Sequence, residues 1–272
     1  MGPQEGGQLH TRTLVPDSPP GVWPPRGRNS LGLAGVDPVM LVEIWSDVVC
    51  PWCYIGKRRF ESGLARFEHA GEVEVHWRSF ELDPRAPSQR PGDMASHLAA
   101  KYGLSLDQAR SRLADMDEVA AAEGLPFNLA ETRGGNTFAA HRLIHLGEER
   151  GMGDAVKEAL LRAYFIELLP ISEPAVLAGV GERAGLDATE VADLLAGDRF
   201  ADAVRADEAE ATALGATGVP FFVFDRAFAV PGAQAPETFL AVLQRAWTRS
   251  HPPVVVAAAG DGPGCAGEAC DI

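Results

Sequence analysis

The stretch that decides the fold is MLVEIWSDVVCPWCYIGKRRF, residues 40–60, in which an apolar run gives way to a helical pattern through two cysteines. The apolar run, residues 39–46, predicts a buried strand, and residues 54–67 repeat apolar side chains at the helical period. Cys50 and Cys53 therefore lie at a strand-to-helix turn, separated by two residues. Two thiols so placed can close a small disulfide ring and reopen it, which indicates a redox site in a protein that is not secreted.

The turn gives the two thiols different predicted roles. Cys50 would lie at the N-terminus of the helix, where unpaired N–H groups and the helix dipole favour an anion. Because the thiolate is the attacking species, we predict that Cys50 is the nucleophile and that Cys53, one turn inside the helix and buried, is the resolving thiol. Pro51 suits the first position of a helix. Together with Trp52 it separates the thiols, and we expect both residues to contact the substrate.

Zinc binding is the main alternative for the cysteine pair. CxxC is also the usual spacing of a metal knuckle, and Cys265 and Cys270 near the C-terminus bring the number of sulfurs to four. Zinc knuckles, however, usually lie in tight turns rather than between a hydrophobic strand and a long amphipathic helix. We therefore predict a redox site with no metal and no cofactor. A non-enzymatic zinc-binding or chaperone-like module stays open as an alternative.

Composition argues against several other classes of protein. The 272 residues are 46% hydrophobic, enough for one substantial core or two modest ones. The formal charge of −14 argues against a nucleic-acid or anionic-membrane partner. No apolar run reaches about 18 residues, so no segment is expected to span a bilayer, and residues 1–37 lack the pattern of a secretory signal. We therefore expect a cytoplasmic protein, in which disulfides are transient and catalytic.

Periodicity along the chain predicts an α/β protein with one mixed sheet, covering helices and an all-helical insertion. The predicted parts are a disordered, Pro- and Gly-rich N-terminal extension (1–38), the first part of the sheet domain (39–90), an inserted helical domain (91–200), the second part of the sheet domain (201–250) and a flexible tail with a CX4C pair (251–272). The insertion is too long for a structureless loop in a compact domain, so we expect it to fold as a layer of its own.

A second signal lies far away in the sequence. Gly218, Val219 and Pro220 immediately precede the strand pattern FFVF at 221–224. Proline is tolerated at the first residue of a strand, and only about 5–6% of X–Pro bonds in folded proteins are cis. A CxxC pair in the same α/β unit favours the cis form here, because it would bring the neighbouring backbone beside the sulfurs. We therefore predict that Val219 and Pro220 bind substrate, with the Val219 backbone facing an extended peptide.

Four separated motifs bear on the family. They are EIWSDVVCPWCYIGK (43–57), NTFAAHRL (136–143), GVPFF (218–222) and GAQ (232–234). Together they resemble the DsbA family of thioredoxin-fold oxidoreductases, and more closely its cytoplasmic FrnE-like branch, over about residues 40–250. The resemblance implies a thioredoxin-like fold interrupted by an all-helical inserted domain. It also implies thiol–disulfide exchange as the chemistry and a cis peptide bond before Pro220.

The chain departs from that family pattern at one helix end. Where the family has Gly-Arg-Asp after a Tyr-Phe-x-Glu run, this chain has Leu168-Leu169-Pro170 after YFIE at 164–167. The resemblance therefore leaves the end of that helix open.

Several other side chains are weaker candidates for the site. His141 could face the dithiol and polarise a substrate, or it could be a hydrogen-bonded histidine at an interface. Asn136 could cap the following helix or contact substrate. Asp47 could relay a proton from Cys53, or it could be a solvated turn residue. The basic run KRR at 57–59 is predicted to form an exposed helix face.

The two cysteines near the C-terminus are open to three interpretations. Cys265 and Cys270 could form a second exchanging pair that passes electrons to or from the CxxC, a regulatory disulfide, or two idle thiols. Because chain ends can be mobile enough to reach a site, we keep the two as candidates for an auxiliary redox pair.

The sequence as a whole predicts a dithiol–disulfide oxidoreductase or isomerase acting on disulfide- or dithiol-containing proteins or small molecules. Glutathione or a thioredoxin-type reductant is a candidate reducing partner, and neither a nucleic acid nor a membrane is expected. The neighbouring branch of glutathione-dependent isomerases of 2-hydroxychromene-2-carboxylate type and kappa-class glutathione transferases offers a rival function. Those enzymes have Ser at the nucleophile position, whereas both positions here are Cys, which favours redox chemistry.

Overall fold

The structure is a computed structural model that describes residues 40–252. The predicted N-terminal extension lies outside the described residues, as does the C-terminal segment with Cys265 and Cys270. Within the described range, no helix is long and apolar enough to cross a membrane.

Over residues 40–252 the chain forms four strands and nine α-helices. The strands are β1 (Met40–Ser46), β2 (Val73–Ser79), β3 (Phe221–Phe224) and β4 (Phe228–Pro231). The helices are α1 (Pro51–Ala65), α2 (Met94–Tyr102), α3 (Leu106–Ala122), α4 (Phe138–Glu149), α5 (Gly153–Phe165), α6 (Pro174–Arg183), α7 (Ala188–Ala196), α8 (Ala201–Ala213) and α9 (Pro236–Ser250).

The strands form one mixed sheet in the order β2-β1-β3-β4. β1 and β2 are parallel, since α1 crosses over between them, whereas β1–β3 and β3–β4 are antiparallel. β1 is buried along almost its whole length because the sheet is covered by helices. The predicted mixed sheet and its strands are therefore confirmed.

The helix after the cysteine pair begins at Pro51, which confirms the predicted helix start at that proline, although the apolar period alone indicated a later start. The apolar period indicated 54–67, whereas α1 begins at Pro51 and ends at Ala65. The difference arises because the first turn is set by backbone chemistry rather than by apolar spacing: Pro51 takes the first helical position and Cys50 is the N-cap. The consequence is that Cys53 lies within the first turn of the helix.

Aromatic packing fixes α1 against the sheet and against α9. The ring of Phe60 lies 5.6 Å from that of Phe222 and 6.3 Å from that of Phe224, both on β3. On the α9 side its centroid is 5.7 Å from that of Phe239, edge to face. Buried aromatic pairs of this kind contribute beyond their area, so the helix that carries both thiols is held rigidly.

A second aromatic cluster joins α1 to the helices between β2 and β3. Tyr54 on α1 stacks on Phe127 at 5.7 Å, and Phe127 stacks on Phe165 of α5 at 4.5 Å. All three rings belong to one continuous apolar core that also includes the sheet. The division of the chain into a split sheet domain and an inserted domain stays a prediction.

The helix end that the resemblance left open is now defined. α5 ends at Phe165, and Leu168 adopts the left-handed conformation, with φ 58°. Glycine takes this conformation at little cost, whereas a leucine loses about 1–2 kcal/mol in it. Leu168 therefore adopts the backbone conformation that the family's glycine favours, although the side chain differs.

Gly63 on α1 is expected to be essential for the contact with α9. A Cβ there would lie 2.7 Å from the Pro236 carbonyl oxygen and 3.0 Å from Phe239 Cβ. We expect Gly63→Ala to lower the free energy of unfolding by about 1–3 kcal/mol, because backbone must move to admit the methyl group. Denaturant unfolding measures the change. Gly179→Ala is the matched control, since Gly179 is also a helical glycine but only the Arg183 side chain approaches it. It should gain up to about 1 kcal/mol from helix propensity, and equal losses in both variants would contradict the close approach.

Candidate active site

Two free thiols lie at the start of α1. Cys50 is the N-cap residue, with extended backbone at φ −90° and ψ 115°, and Cys53 donates its backbone N–H to the Cys50 carbonyl oxygen at 3.0 Å. Both cysteines are free and buried, with 5% and 1% of their surface exposed. The first sulfur therefore lies at the positive end of the helix dipole, where an anion is stabilised.

The cis-proline loop lies directly beside the first sulfur. The Val219–Pro220 peptide bond is cis, as predicted. The Cys50 thiol donates a hydrogen bond to the Val219 carbonyl oxygen, with a sulfur–oxygen distance of 3.6 Å. Gly56 on α1 permits this approach, because a Cβ there would lie 2.9 Å from Pro220 Cγ. Pairing of β3 with β1 brings the two segments together.

A cavity of about 550 Å³ opens onto this dithiol. The predicted site residues Cys50, Pro51, Trp52 and Val219 line it. The opposite wall comes from the helices between β2 and β3, mainly α2 and α3. The volume falls in the range of about 300–1,000 Å³ that is typical of small-molecule sites.

The other predicted site residues lie behind this surface. Cys53 is buried under Cys50. Asn136 accepts a hydrogen bond from the Phe138 N–H at 3.0 Å, so its side chain secures the start of α4, while its neighbours Gly135 and Thr137 line the cavity. A contact of Asn136 with substrate stays a prediction.

His141 and Asp47 form a fully buried pair next to the cysteines. His141 Nε2 lies 3.3 Å from Asp47 Oδ1, and Asp47 Oδ2 accepts the Leu82 N–H at 2.8 Å. Burial raises the pKa of Asp47, but the hydrogen bond and charge of His141, the Leu82 N–H and the charge of Lys157 together outweigh burial and hold that pKa below its usual range. Asp47 is 1% exposed, so the interpretation as a solvated turn residue is wrong. A proton relay through Asp47 and a substrate contact of His141 stay predictions.

Lys157 on α5 is a buried cation that sequence reasoning missed. Its ammonium donates to the Ser46 carbonyl oxygen at 3.4 Å and lies 5.5 Å from the centre of the Trp77 ring. Burial lowers the pKa of Lys157 to about 8, opposed first by the charge of Cys53 and then by that of Asp47. The pKa of Cys53 is raised well above its usual value. Burial is the largest cause and the hydrogen bond to Cys50 is the second, whereas the charge of Lys157 opposes the rise. The arrangement places an ammonium where the resolving thiol would ionise.

A sequence signal for Lys157 existed. Leu160 and Leu161, one turn further along α5, and Tyr164, two turns further, are buried, so Lys157 lies on the apolar face of its helix. A lysine is rarely fully buried, and one on an apolar face is a candidate for a special role.

The prediction that residues 57–59 form an exposed face is wrong. The side chains of Arg58 and Arg59 are only 14% and 23% exposed and form ion pairs with carboxylates. Lys57 is the most buried of the three. Its side chain is fully buried and forms ion pairs with Glu61, Asp154 (3.1 Å) and Glu158 (3.2 Å). The cause is the packing of α5 onto α1, which covers the lysine and supplies two of the three carboxylates. Burial lowers the pKa of Lys57, but these carboxylates outweigh burial and raise it to about 12.

The zinc alternative is tested only in part. Within residues 40–252, no group of three or more His, Cys, Asp or Glu side chains has an arrangement that could hold a metal ion. A site that also used Cys265 and Cys270 would extend beyond the described residues, so it stays an open prediction.

The sheet order, the dithiol at the start of the first helix and the adjacent cis-proline together define a thioredoxin-like fold, here with helices α2–α8 between β2 and β3. The sequence profile of the DSBA-like thioredoxin domain matches residues 41–244. The chain therefore belongs to the DSBA-like thioredoxin domain family. This confirms the predicted fold class and the resemblance to the DsbA family, while the FrnE-like branch stays a prediction.

Three similar proteins illustrate the relationship. The crystal structure of a probable DsbA oxidoreductase from Streptomyces coelicolor is 46% identical, covers 84% of this chain and 99% of its own, and superposes with a TM-score of 0.75. The uncharacterized protein YwbO of Bacillus subtilis (strain 168) is 25% identical over 73% of this chain and 92% of its own length. The cytosolic disulfide reductase DsbM from Pseudomonas aeruginosa, solved with GSH, is 18% identical with a TM-score of 0.52 over 75% of this chain and 98% of its own. At that identity the likeness to DsbM shows the fold alone.

Proposed function

We propose that the protein is a thiol–disulfide oxidoreductase that exchanges disulfides through Cys50 and Cys53. The observation that carries the proposal is the pair of free thiols at the start of α1, with Cys50 facing a cavity and Cys53 buried behind it. Two thiols at this spacing can form a disulfide with each other after one of them has reacted with a substrate.

The exchange has two steps that together transfer two electrons. Cys50 thiolate attacks one sulfur of a substrate disulfide, which forms a mixed disulfide and releases the other substrate sulfur as a thiolate. Cys53 thiolate then attacks Cys50 Sγ, which forms the Cys50–Cys53 disulfide and releases the second substrate sulfur. The substrate is reduced to two thiols and the enzyme dithiol is oxidised. The same steps in reverse oxidise a substrate dithiol.

The backbone of the cis-proline loop is suited to position the substrate. In the free enzyme the Val219 carbonyl oxygen accepts the Cys50 thiol hydrogen. Once Cys50 has ionised, that carbonyl is available to an N–H of an extended substrate beside the sulfur. We propose this role for Val219 and Pro220, with Pro51 and Trp52 bounding the other side of the sulfur.

The buried groups under the dithiol support the second step. Cys53 must lose a proton before it attacks, in surroundings that disfavour an anion. Lys157 supplies a positive charge to the thiolate that forms, and Asp47 with His141 lies close by as a route for the proton. We propose that these three side chains together favour the thiolate of Cys53 over its protonated form during the second step.

We propose the cytoplasm as the site of action and glutathione or a thioredoxin-type protein as the reducing partner. The support is a fold shared with a cytosolic disulfide reductase whose structure was solved with GSH.

A redox titration tests the proposed function. We expect the ratio of the Cys50–Cys53 dithiol to its disulfide to be proportional to the square of the reduced glutathione concentration divided by the concentration of oxidised glutathione, because one dithiol exchanges two electrons. Cys265 and Cys270 are both replaced by serine, and alkylation followed by intact mass counts the thiols. A potential between roughly −270 and −120 mV, the range of CxxC enzymes, is expected. A pair that stays fully reduced at every ratio would rule the proposal out.

A further inference from the structure

We infer that the cavity beside Cys50 is a binding site for small-molecule disulfides that carry both an apolar group and a carboxylate. The inference rests on the proposed exchange function and names its substrate class. Its three supports are an exposed apolar mouth, an apolar wall of suitable size, and unpaired positive charge at the outer rim.

Exposed apolar side chains are concentrated at this cavity. Trp52, Leu82 and Tyr102 are 41%, 43% and 57% exposed, and all three line it. Over residues 40–252, only Leu106 and Leu214 are further large apolar side chains with comparable exposure. Exposed apolar residues gathered in one place, rather than scattered, mark a binding surface. Trp52 follows Cys50 by two positions and lines the same cavity, where its ring can stack on an aromatic leaving group.

The wall opposite the dithiol is apolar and adaptable. Met94 and Leu98 on α2 and Leu113 and Met116 on α3 contribute to it. Methionine side chains are flexible and fill irregular shapes, so such a wall accepts more than one ring or chain. A volume of about 550 Å³ holds a small disulfide, whereas a folded protein could insert only a side chain.

Positive charge lies at the outer rim of the cavity. Lys101 and Arg112 line it, are exposed, and form no ion pair with the acidic groups of the described residues. The third cation, Arg90, is neutralised by Asp83 at 3.0 Å. Burial, followed by the charge of Arg90, lowers the pKa of His97, which disfavours a positive charge on its ring. A local basic rim on a chain of net charge −14 is a specific feature rather than a general one.

The charges also orient the ligand. Asp47 is the carboxylate at the inner end, buried and bonded to His141, so an anionic group is disfavoured next to Cys50. Lys101 and Arg112 favour the carboxylate of the ligand at the outer rim of the cavity. A substrate would therefore enter with its disulfide towards Cys50, its apolar part against α2 and α3, and its carboxylate towards solvent.

Two aromatic disulfides that differ in charge test the inference. The probes are 5,5′-dithiobis(2-nitrobenzoate), which carries carboxylates, and 4,4′-dithiodipyridine, which is neutral at pH 7.5. The ratio of their second-order rates with Cys50 cancels any change in the reactivity of the sulfur. We expect Lys101→Gln with Arg112→Gln to lower the ratio of anionic to neutral rates about five- to tenfold at low salt, the effect of two exposed charges.

A matched variant removes the same charge elsewhere. Arg110 on α3 and Arg66 at the end of α1 are exposed and lie outside the cavity lining. Arg110→Gln with Arg66→Gln is expected to leave the ratio within twofold of the parent. Equal losses in both double variants would mean a general field and would overturn the inference. An unchanged ratio in the cavity variant would overturn it too, while leaving exchange by the dithiol intact. Failure of Cys50 to react with either probe would instead sink the proposed function.

Discussion

Replacing Cys50 by serine is expected to lower the rate of disulfide exchange by more than about 1,000-fold. A serine hydroxyl does not ionise near neutral pH, so the group that attacks the substrate sulfur is lost. The remaining thiol, Cys53, cannot substitute, because it is 1% exposed and burial raises its pKa well above the usual value. The measurement is reduction of a disulfide substrate in the background with Cys265 and Cys270 replaced by serine.

Cys53→Ser is the matched control for this change. The substitution has the same chemistry and lies in the same turn of α1, but it leaves the nucleophile in place. We expect a single turnover in which Cys50 keeps one half of the substrate as a mixed disulfide, visible as an adduct by intact mass. Sustained turnover by Cys50→Ser would contradict the assignment. A glutathione-stimulated isomerisation that survived Cys50→Ser would favour the isomerase alternative.

Lys157→Met is expected to slow the resolving step about tenfold near neutral pH and to move its pH dependence to more alkaline values. Cys53 attacks only as the thiolate, and Lys157 is the cation that lowers the raised pKa of that thiol. Removal of the ammonium raises the pKa of Cys53 further, so a smaller fraction is ionised at any pH below it. A rise of about one pKa unit corresponds to a tenfold smaller thiolate fraction.

The resolving step can be measured in isolation. A mixed disulfide of Cys50 with thionitrobenzoate is formed at acid pH, and a jump to higher pH starts the attack by Cys53, which releases the coloured thiolate. Rates are compared over pH 6–10, in the same background without the distal cysteines. A profile of Lys157→Met that superimposes on that of the parent would disprove the role of the ammonium.

Lys57→Met separates the chemical effect from a loss of stability. Lys57 is also fully buried, and both lysines lie beside the Trp77 ring, at 5.8 Å and 5.5 Å. The charge of Lys57, however, is balanced by carboxylates of α1 and α5. We expect Lys57→Met to reduce the free energy of unfolding, because it leaves Asp154 without a cationic partner, whereas Glu61 and Glu158 keep their ion pairs with Arg58. It should cause no alkaline shift of the resolving step.

Local patterns were enough to predict the sheet and the position of the dithiol. The alternation of apolar and polar residues over 73–77 predicted a strand, which the structure extends to Ser79 as β2. A proline ahead of a short aromatic run predicted both β3 and the cis-proline loop. Such features depend on backbone preferences of neighbouring residues, which a sequence displays directly. Pro51 predicted the start of α1 correctly, whereas the apolar period alone placed it at residue 54, because the first turn carries no apolar signal.

Local sequence patterns could not predict which charged side chains are buried. Lys57 resembles any basic residue on an exposed helix, yet Asp154, 97 positions further along the chain, helps to bury and neutralise it. Asp47 was left between two interpretations for the same reason, since its partner His141 is 94 positions away. Both outcomes depend on how α4 and α5 pack, and packing is a property of the whole core.

The sequence by itself determined the chemistry: two sulfurs at a helix start, a proline opening a later strand, and motifs of one family. These depend on covalent spacing and local geometry, which persist whatever surrounds them. Only the tertiary structure decided what acts on the sulfurs, because the strength of a charge depends on its distance and on the exclusion of water. The charge of buried Lys157 opposes the rise in the pKa of Cys53, and the Val219 carbonyl oxygen accepts a hydrogen bond from Cys50 across 169 positions. Both follow because the sheet and the helices between β2 and β3 pack into one core.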